Sequence, residues 1–522
     1  MERDDVYLTQ GLHRSVSRCP DKIALVNGDR QFTHTELIDR IGRLAAALAG
    51  LGVAEGDRIG ILATNSAEYV EYALACPWGG FVLAPINNRW SLTEMAYQVD
   101  DAEITVLITD EAALPQALEL RDECSTLASV VCYGAAQLPD GCLDYEDLIA
   151  ASTPMADRRL AGDSLAAILY TGGTTGVPKG VMLGPGQIMV SGMGSLVSAG
   201  LPNLPERFLH VSPLYHMAAL AGIYQQVMLG STQYVLGEFD VHRLAATIER
   251  ERITATTLVP TMIQRLLTLI ETTGADLSSL IHLGYGASPI SETVLRQALR
   301  LLPHLQMCQR YGMTELGPVA TLLTPADHRD ITHPQRLRSA GRAAMHTEVR
   351  VVGEDSREMP VGQVGEVVVR GGNIMLGYWK KPAETAHALR GGWMHTGDMG
   401  YFDDDGYLYV VDRLKDMIVT GGENVYSAEV ESVLSLHESV SSCAVIGVPD
   451  PDWGERVHAV VVLAPGHETD ASTLREFCSQ YIARYKAPRT VEFVPALPLS
   501  PVGKILKRTL REQHNTSMGQ PS

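Results

Sequence analysis

The sequence predicts an α/β protein with a large N-terminal domain of parallel β-α-β sheets, a small antiparallel β subdomain, and a small α+β C-terminal domain. Three observations point there. Through the N-terminal half, short β-rich runs alternate with amphipathic helical stretches, the pattern of β-α-β units with right-handed crossovers. Near residue 340 helices become sparse and strands follow one another across Gly-rich turns, which reads as an antiparallel sheet or barrel. After Asp412 strands and helices mix again over about 110 residues, enough for a separate lobe.

Between Thr33 and Gly52, Leu37, Ile41, Leu44 and Leu48 recur at helical spacing, with Gly50 and Gly52 as stops. Ile59–Ala63, Thr105–Thr109 and Ser129–Tyr133 read as buried strands. In the small subdomain the expected strands are Glu348–Val352, Gly365–Arg370 and Tyr407–Val411. Asp403-Asp404-Asp405-Gly406 between them reads as a D-G hairpin turn, because a calcium loop needs ligands at alternate positions and a distant Glu. In the last lobe Ser427 is expected to cap a helix carrying Val430 and Leu434. Strands Cys443–Val448 and Val457–Val462 follow, then a helix over Ser472–Arg484 and a final strand, Val491–Val494. The chain divides at 411/412, into residues 1–411 and 412–522.

Composition narrows the function. The 522 residues carry a net charge of −19, which argues against nucleic acid and against an anionic membrane surface. It does not exclude small anions, since a local basic site can sit in an acidic protein. The eight cysteines are scattered without a C-x-x-C pair, so free buried thiols are expected rather than a zinc site or a disulfide framework. No basic-then-apolar start and no run of about 18 apolar residues is present, and the tail is not a peroxisomal address. A soluble cytoplasmic protein without integral membrane association is expected.

The strongest local signal is Ile168-Leu169-Tyr170-Thr171-Gly172-Gly173-Thr174-Thr175-Gly176-Val177-Pro178-Lys179-Gly180. A buried strand enters a loop in which glycines bring backbone N–H groups close to phosphate oxygens, while threonine hydroxyls and Lys179 add donors and charge. The G-x-x-x-x-G-K-[ST] loop is excluded, because Pro178 precedes the lysine and Gly180 follows it.

Tyr170 to Gly180 resembles the phosphate-loop signature of the adenylate-forming superfamily, which includes acyl-CoA synthetases, luciferases and peptide-synthetase adenylation domains. Further segments resemble that family's motifs in the same order and span nearly the whole chain. They are Pro213-Leu214-Tyr215-His216, Gly284-Tyr285-Gly286-Ala287, Tyr311-Gly312-Met313-Thr314-Glu315, Trp393-Met394-His395-Thr396-Gly397-Asp398, Asp412-Arg413-Leu414-Lys415-Asp416 and Pro501-Val502-Gly503-Lys504. The chain is most similar to the branch that ligates fatty or aryl acids to CoA.

The resemblance implies roles for individual residues. Thr171, Gly172, Gly173, Thr174, Thr175 and Lys179 cradle the pyrophosphate portion of ATP. Tyr311 stacks on adenine, with Gly286, Ala287 and Ser288 as the other wall and Arg310, Gly312 and Met313 in the same ATP-binding segment. Thr314 touches the α-phosphate, and Glu315 holds Mg²⁺, which prefers oxygen ligands. Asp398 accepts the ribose hydroxyls, and Arg413 reaches the ribose or a phosphate. Lys504 contacts the carboxylate and the α-phosphate, offsetting charge as phosphorus becomes pentavalent. Lys415 is the hinge about which a mobile C-terminal domain turns, withdrawing Lys504 and bringing Gly421 and Gly422 forward to line the pantetheine channel. His216 flanks the carboxylate pocket, whose wall includes Met217, Tyr285, Gly286, Leu316 and Gly317, with Gly222 contributing. Lys504, Thr314 and His216 are the expected catalytic residues.

The implied reaction has two steps, joining an apolar medium-chain, alicyclic or aromatic acid to CoA through acyl-AMP, with release of pyrophosphate and AMP. ATP, Mg²⁺ and coenzyme A are therefore expected, and a homodimer is the expected oligomer. One alternative acceptor is a carrier-protein pantetheine, although no carrier domain is expected after residue 522 and no long insertion of the acyl-AMP-ligase kind is seen. An amino-acid-activating domain typically has an aspartate where Tyr215-His216 stands here, and nothing points to a luciferase-like oxygenase. A non-catalytic nucleotide-binding module is opposed by the presence of Thr174, Lys179, Glu315, Asp398, Arg413 and Lys504 together.

Overall fold

The computed structural model describes residues 6–171, 178–200, 206–288, 290–413, 416–420, 423–450, 453–499 and 505–518. The first expected helix spans His34–Gly50. It begins there because Thr33 and Glu36 cap it reciprocally. The Glu36 amide donates to Thr33 Oγ1 at 3.2 Å, and the Thr33 amide donates to Glu36 Oε2 at 2.8 Å. Leu37, Ile41, Leu44 and Leu48 form its buried stripe, which holds the helix to the core.

Arg58–Leu62, Ile104–Asp110 and Ser129–Tyr133 are neighbouring parallel strands, as their apolar runs require. Their side chains alternate between two core groups. Ile59, Ile61, Val106 and Val131 pack on one side, and Leu62, Leu107 and Val130 on the other. These strands belong to an eight-stranded sheet that also holds Val82–Pro85, Ala167–Thr171 and Lys179–Leu183. A nine-stranded sheet places Gln306–Tyr311, His282–Gly286, Ala255–Leu258, Arg207–His210 and Thr232–Val235 side by side, with the last of these against Ile23–Asn27. The alternation of strands and helices does not tell which strand joins which sheet: Leu25 lies opposite Gln233, far along the chain.

A four-stranded antiparallel sheet follows the order Thr347–Val352, Gly365–Gly371, Met394–Phe402, Leu408–Arg413. Strand Met394–Phe402 was not foreseen, because its glycines and polar residues read as a motif rather than an alternating strand. The acidic turn behaves as expected. Gly406 takes φ +77°, its amide donates to Asp403 O, and the Asp403 amide donates to Tyr407 O at 3.1 Å. The strand Leu408–Arg413 runs on past residue 412.

In the C-terminal lobe Val440–Asp450 and Gly454–Leu463 are antiparallel, and Thr490–Phe493 joins the second of them in parallel. Two expectations are corrected. Ser427 is the first residue of helix Ser427–Leu434, whose N-cap is Tyr426, and the Ser427 hydroxyl instead accepts from Lys507 Nζ. The helix expected over Ser472–Arg484 is Ala471–Tyr481, capped by Asp470, whose carboxylate accepts from the Thr473 amide at 2.7 Å. Helix Lys507–Met518 was missed: its composition is strongly polar, and its buried anchor is Leu510 against Ile446 and Val460. All eight cysteines are free, six of them buried. Among the described residues, no helix is long and apolar enough to cross a membrane.

Two buried histidines in the large domain make stability acid-sensitive. His328 Nδ1–H donates to Thr324 O and Nε2 accepts from the Tyr285 hydroxyl, both at 2.7 Å, an arrangement complete for the neutral ring. His210 meets Gln233 Oε1 at 2.9 Å through Nε2. Burial pushes both rings down to about 4. A folded value below the unfolded one of about 6.5 means the unfolded chain binds the protons first, so stability is full above pH 6.5 and is lost as pH falls toward 4. Each ring is expected to remove roughly 2 kcal/mol between pH 6.5 and 5. Thermal unfolding across that range checks this. His210→Gln with His328→Gln should flatten the acid limb, and an equally steep limb would contradict the assignment.

Candidate nucleotide and acid site

Parallel strands end together, and the loops at their carboxyl ends are where a doubly wound sheet gathers ligand-binding groups. Thr171 ends one strand of the eight-stranded sheet, and Gly286 and Tyr311 end two neighbouring parallel strands of the other. The segment Val211–His216 follows the end of Arg207–His210, two strands away. The two sheets are pinned at this edge by Asn65, which follows strand Arg58–Leu62. Its side-chain amide donates to Ser212 O at 3.0 Å, and its oxygen accepts from the Leu214 amide at 2.9 Å. Asn65 therefore fixes the loop that carries His216.

Thr171 and Lys179 face each other across an antiparallel pair, and Gly172–Val177 between them lie outside the described residues. Lys179 Nζ sits 2.6 Å from Glu384 Oε2 and 5.3 Å over the Tyr378 ring. The same contact holds the Glu384 carboxyl below the usual carboxylate range. Tyr378 forms an edge strand against Val181 and donates its hydroxyl to Glu315 Oε1 at 2.9 Å. The phosphate-loop lysine and the expected metal carboxylate thus share one intermediary.

Glu315 is buried in a one-turn 3-10 helix, Thr314–Leu316. Its backbone oxygen accepts from the Met375 amide at 2.9 Å. Buried Asn373 donates to Leu316 O at 2.6 Å and Val319 O at 3.1 Å, fixing the loop beyond. An oxygen donor held rigidly beside the phosphate-loop lysine suits a hard cation such as Mg²⁺. Removing the Tyr378 hydroxyl should loosen that carboxylate. Tyr378→Phe is expected to slow adenylation roughly 10- to 100-fold, the worth of one hydrogen bond to a charged group. Thioester formation from supplied acyl-AMP should be unaffected; pre-steady-state rates of the two half-reactions decide.

Asp398 is buried on strand Met394–Phe402, directly opposite Arg413 in the ladder, whose side chain lies outside the described residues. Its Oδ2 accepts from the Tyr311 hydroxyl at 2.8 Å, so the expected ribose and adenine residues touch. The turn is built by neighbours. Gly397 adopts φ +72°, the Asp398 amide donates to Thr396 Oγ1 at 3.1 Å, and Thr396 Oγ1 donates to Val367 O at 2.7 Å. Glu366 braces the same turn, meeting His395 Nδ1 at 2.7 Å and accepting from the Gly397 amide at 3.2 Å. Ala287, just past its strand, holds φ +68°, an uncommon backbone state for a residue with a Cβ and one found at ligand-binding edges.

His216 precedes helix Met217–Leu229 as its N-cap, its ring 4.4 Å from that of Tyr215. Met217 and Leu316 are buried in one core group. Tyr285 is not brought to them: it packs with Leu283 in the other large core group, its hydroxyl on His328. Strand parity explains this, since Leu283 and Tyr285 point to one face while Gly284 and Gly286 point to the other. A Cβ on Gly286 would lie 2.3 Å from Arg310 O, so its smallness serves strand contact. The space beside Gly222 holds the His210 imidazole, 3.5 Å from an added Cβ. Helix Met217–Leu229 therefore rests on a polar pair, His210 and Gln233.

Arg310, Gly312, Met313 and Thr314 lie contiguously with Tyr311, with Arg310 Nη1 donating to Thr257 Oγ1 at 3.2 Å, and Ser288 follows Ala287. Lys415, Gly421, Gly422 and Lys504 lie outside the described residues. The bracing residues Asn65, Glu366, Asn373 and Tyr378 were missed in the sequence, because each acts through partners distant along the chain. A faint signal existed for two of them in the glycine-rich run Gly371-Gly372-Asn373 to Gly377-Tyr378.

Residues 12–379 match the family model described as AMP-binding enzyme, and residues 429–504 match that of the AMP-binding enzyme C-terminal domain. A feruloyl-CoA synthase from an Amycolatopsis species is 38% identical over 504 residues, covering 96% of this chain and 97% of that protein. The fatty acid–[acyl-carrier-protein] ligase ScoC of Streptomyces coeruleorubidus is 34% identical over 508 residues, covering 95% and 94%. Among solved structures, the anthranilate CoA ligase AuaEII in complex with anthranoyl-AMP superposes with a TM-score of 0.90 at 25% identity, covering 99% of this chain and 98% of that one. The chain belongs to the AMP-binding enzyme family, the adenylate-forming superfamily, within its acid–CoA ligase branch.

Proposed function

We propose that the chain joins an apolar carboxylic acid, an aromatic one foremost, to coenzyme A through an acyl-adenylate, as an AMP-forming acid–thiol ligase. The observation that carries this reading is that residues of three sheets meet: Lys179 lies over Tyr378, whose hydroxyl donates to Glu315, and the Tyr311 hydroxyl donates to Asp398. Supporting the aromatic acid, a feruloyl-CoA synthase and an anthranoyl-AMP complex are among the proteins it is similar to.

In the first half-reaction a carboxylate oxygen of the acid displaces pyrophosphate from the α-phosphorus of ATP. Lys179, released from Glu384, and the backbone donors of its loop take up the departing negative charge. Tyr311 and Asp398 orient the nucleoside, Thr314 the α-phosphate, and Lys504 neutralises the two oxyanions brought together. Mg²⁺ held at Glu315 would supply electrostatic stabilisation of the phosphate oxygens. In the second half-reaction the CoA thiolate attacks the activated carbonyl and AMP leaves. His216, fixed through Asn65, borders the carboxylate in both. The domain division at 411/412, the hinge at Lys415, a channel at Gly421-Gly422, a cytoplasmic location and a homodimer complete the proposal.

A panel of aryl, alicyclic and medium-chain acids, assayed for pyrophosphate and thioester together, tests it. Aryl acids are expected to give both with CoA. Pyrophosphate without thioester would transfer the reading to a carrier-protein acceptor, as the similarity to a carrier-protein ligase allows. No release with any acid would refute it.

A further inference from the structure

A cluster in the C-terminal lobe takes no part in the chemistry above. His458 stands on strand Gly454–Leu463, Glu492 on the parallel neighbour Thr490–Phe493, and His514 on helix Lys507–Met518. One nitrogen of each histidine and one carboxylate oxygen all lie within 4.8 Å of one another. The two imidazoles are 4.4 Å apart between centroids, and His458 Nε2 is 3.6 Å from Glu492 Oε2.

His458 is 3% exposed. Its Nδ1 is 2.7 Å from Thr490 Oγ1, while its Nε2, shielded from water, makes no hydrogen bond. Metal-bound histidines commonly donate their other ring N–H to an oxygen, which fixes the ring and points the remaining lone pair at the ion. When Nδ1–H is given to Thr490 Oγ1, the Nε2 lone pair faces the Glu492 carboxylate, a gap that a cation between them fills. The nearest fixed positive group on the same strand, Arg456, is turned toward Asp450 at 3.6 Å.

We propose that His458, Glu492 and His514 form a binding site for a divalent transition-metal ion of the zinc class, which ties helix Lys507–Met518 to the sheet of the C-terminal lobe. Two imidazoles and one carboxylate favour Zn²⁺, Co²⁺ or Ni²⁺ over Mg²⁺ and Ca²⁺, which take oxygen shells. A tetrahedral ion with bonds of about 2.0–2.2 Å requires the three ligand atoms to close to roughly 3.5 Å, with water as the fourth ligand. Exposed Glu492 and half-buried His514 can turn inward, and His458 is already fixed. The helix so tied begins three residues after Lys504 in the sequence, and an antiparallel bridge pairs Leu499 with Ile505.

Equilibrium dialysis of the chelator-stripped full chain against Zn²⁺ in millimolar Mg²⁺ tests the site. Wild type is expected to retain one Zn²⁺, and Co²⁺ in its place should give a visible tetrahedral spectrum. Glu492→Gln, at an exposed position where folding is not at stake, and His514→Ala should each weaken binding at least 10-fold and abolish that spectrum. His467→Ala, an exposed histidine elsewhere in the lobe, should change neither. No retained Zn²⁺ in wild type, or equal retention in Glu492→Gln and His514→Ala, would overturn the proposal.

Discussion

Lys504→Ala is expected to reduce acyl-adenylate formation by at least about 10²- to 10³-fold, the cost of removing one preorganised charge from a developing oxyanion. Thioester formation from supplied acyl-AMP should survive within a few fold. The asymmetry follows from where the charge arises. In adenylation, a carboxylate approaches an α-phosphate that is itself anionic, and one ammonium neutralises both. In thioester formation the phosphate is already leaving as AMP, and on the proposed reading the C-terminal domain has withdrawn the lysine. Helix Lys507–Met518, which begins three residues after Lys504 in the sequence, is anchored to the lobe. Lys507 Nζ pairs with Glu431 Oε1 at 2.8 Å, and Leu510 seats the following helix on the sheet. Single-turnover measurement of each half-reaction checks the prediction, and equal loss in both would remove Lys504 from its assigned role.

Glu315→Gln is the second large effect. The replacement keeps shape and leaves the Tyr378 hydroxyl an oxygen to bond, but it removes the negative charge proposed to hold a hard cation. Several kcal/mol of metal-derived stabilisation is at stake, so adenylation should fall roughly 10²- to 10³-fold. A titration with Mg²⁺ should shift to higher concentration in the variant. Wild-type adenylation at limiting Mg²⁺ would contradict the assignment. Tyr378→Phe, which leaves the charge and removes its anchor, should fall between this variant and wild type.

The legible parts of the sequence were those decided locally. The Thr33–Glu36 cap with its Leu37, Ile41, Leu44 and Leu48 stripe, and the Asp403–Gly406 turn, depend on residues a few positions apart. The site motifs were legible as ordered chemical types, and the structure pairs Thr171 with Lys179 in one ladder and joins the Tyr311 hydroxyl to Asp398. Illegible parts were decided by partners far away. Glu366 braces the Asp398 turn from a neighbouring strand, and Tyr378 reaches Glu315 from an edge strand. Ser427 offered a cap, but Lys507 claims its hydroxyl from another helix. Tyr285 could have been separated from the acid wall by strand parity alone, and His210 under Gly222 could not, because only packing of the helix on the sheet places it there.

The acidic surface takes on a particular meaning with the site described. A chain of net charge −19 handles ATP, CoA and a carboxylate, so anion binding must be concentrated in a few positions. Lys179 is paired with Glu384, a partner that phosphate would displace on the proposed reading. A half-exposed pair of this kind is worth about 1 kcal/mol, little enough for a polyphosphate to overcome.

The central claim is that the acid is activated on ATP before any thiol is engaged. ATP–pyrophosphate exchange, measured with a ring-bearing acid in the absence of CoA, tests it most directly. Exchange that depends on both the acid and Mg²⁺, and that proceeds without CoA, is the predicted result; exchange that appears only when CoA is present would contradict it.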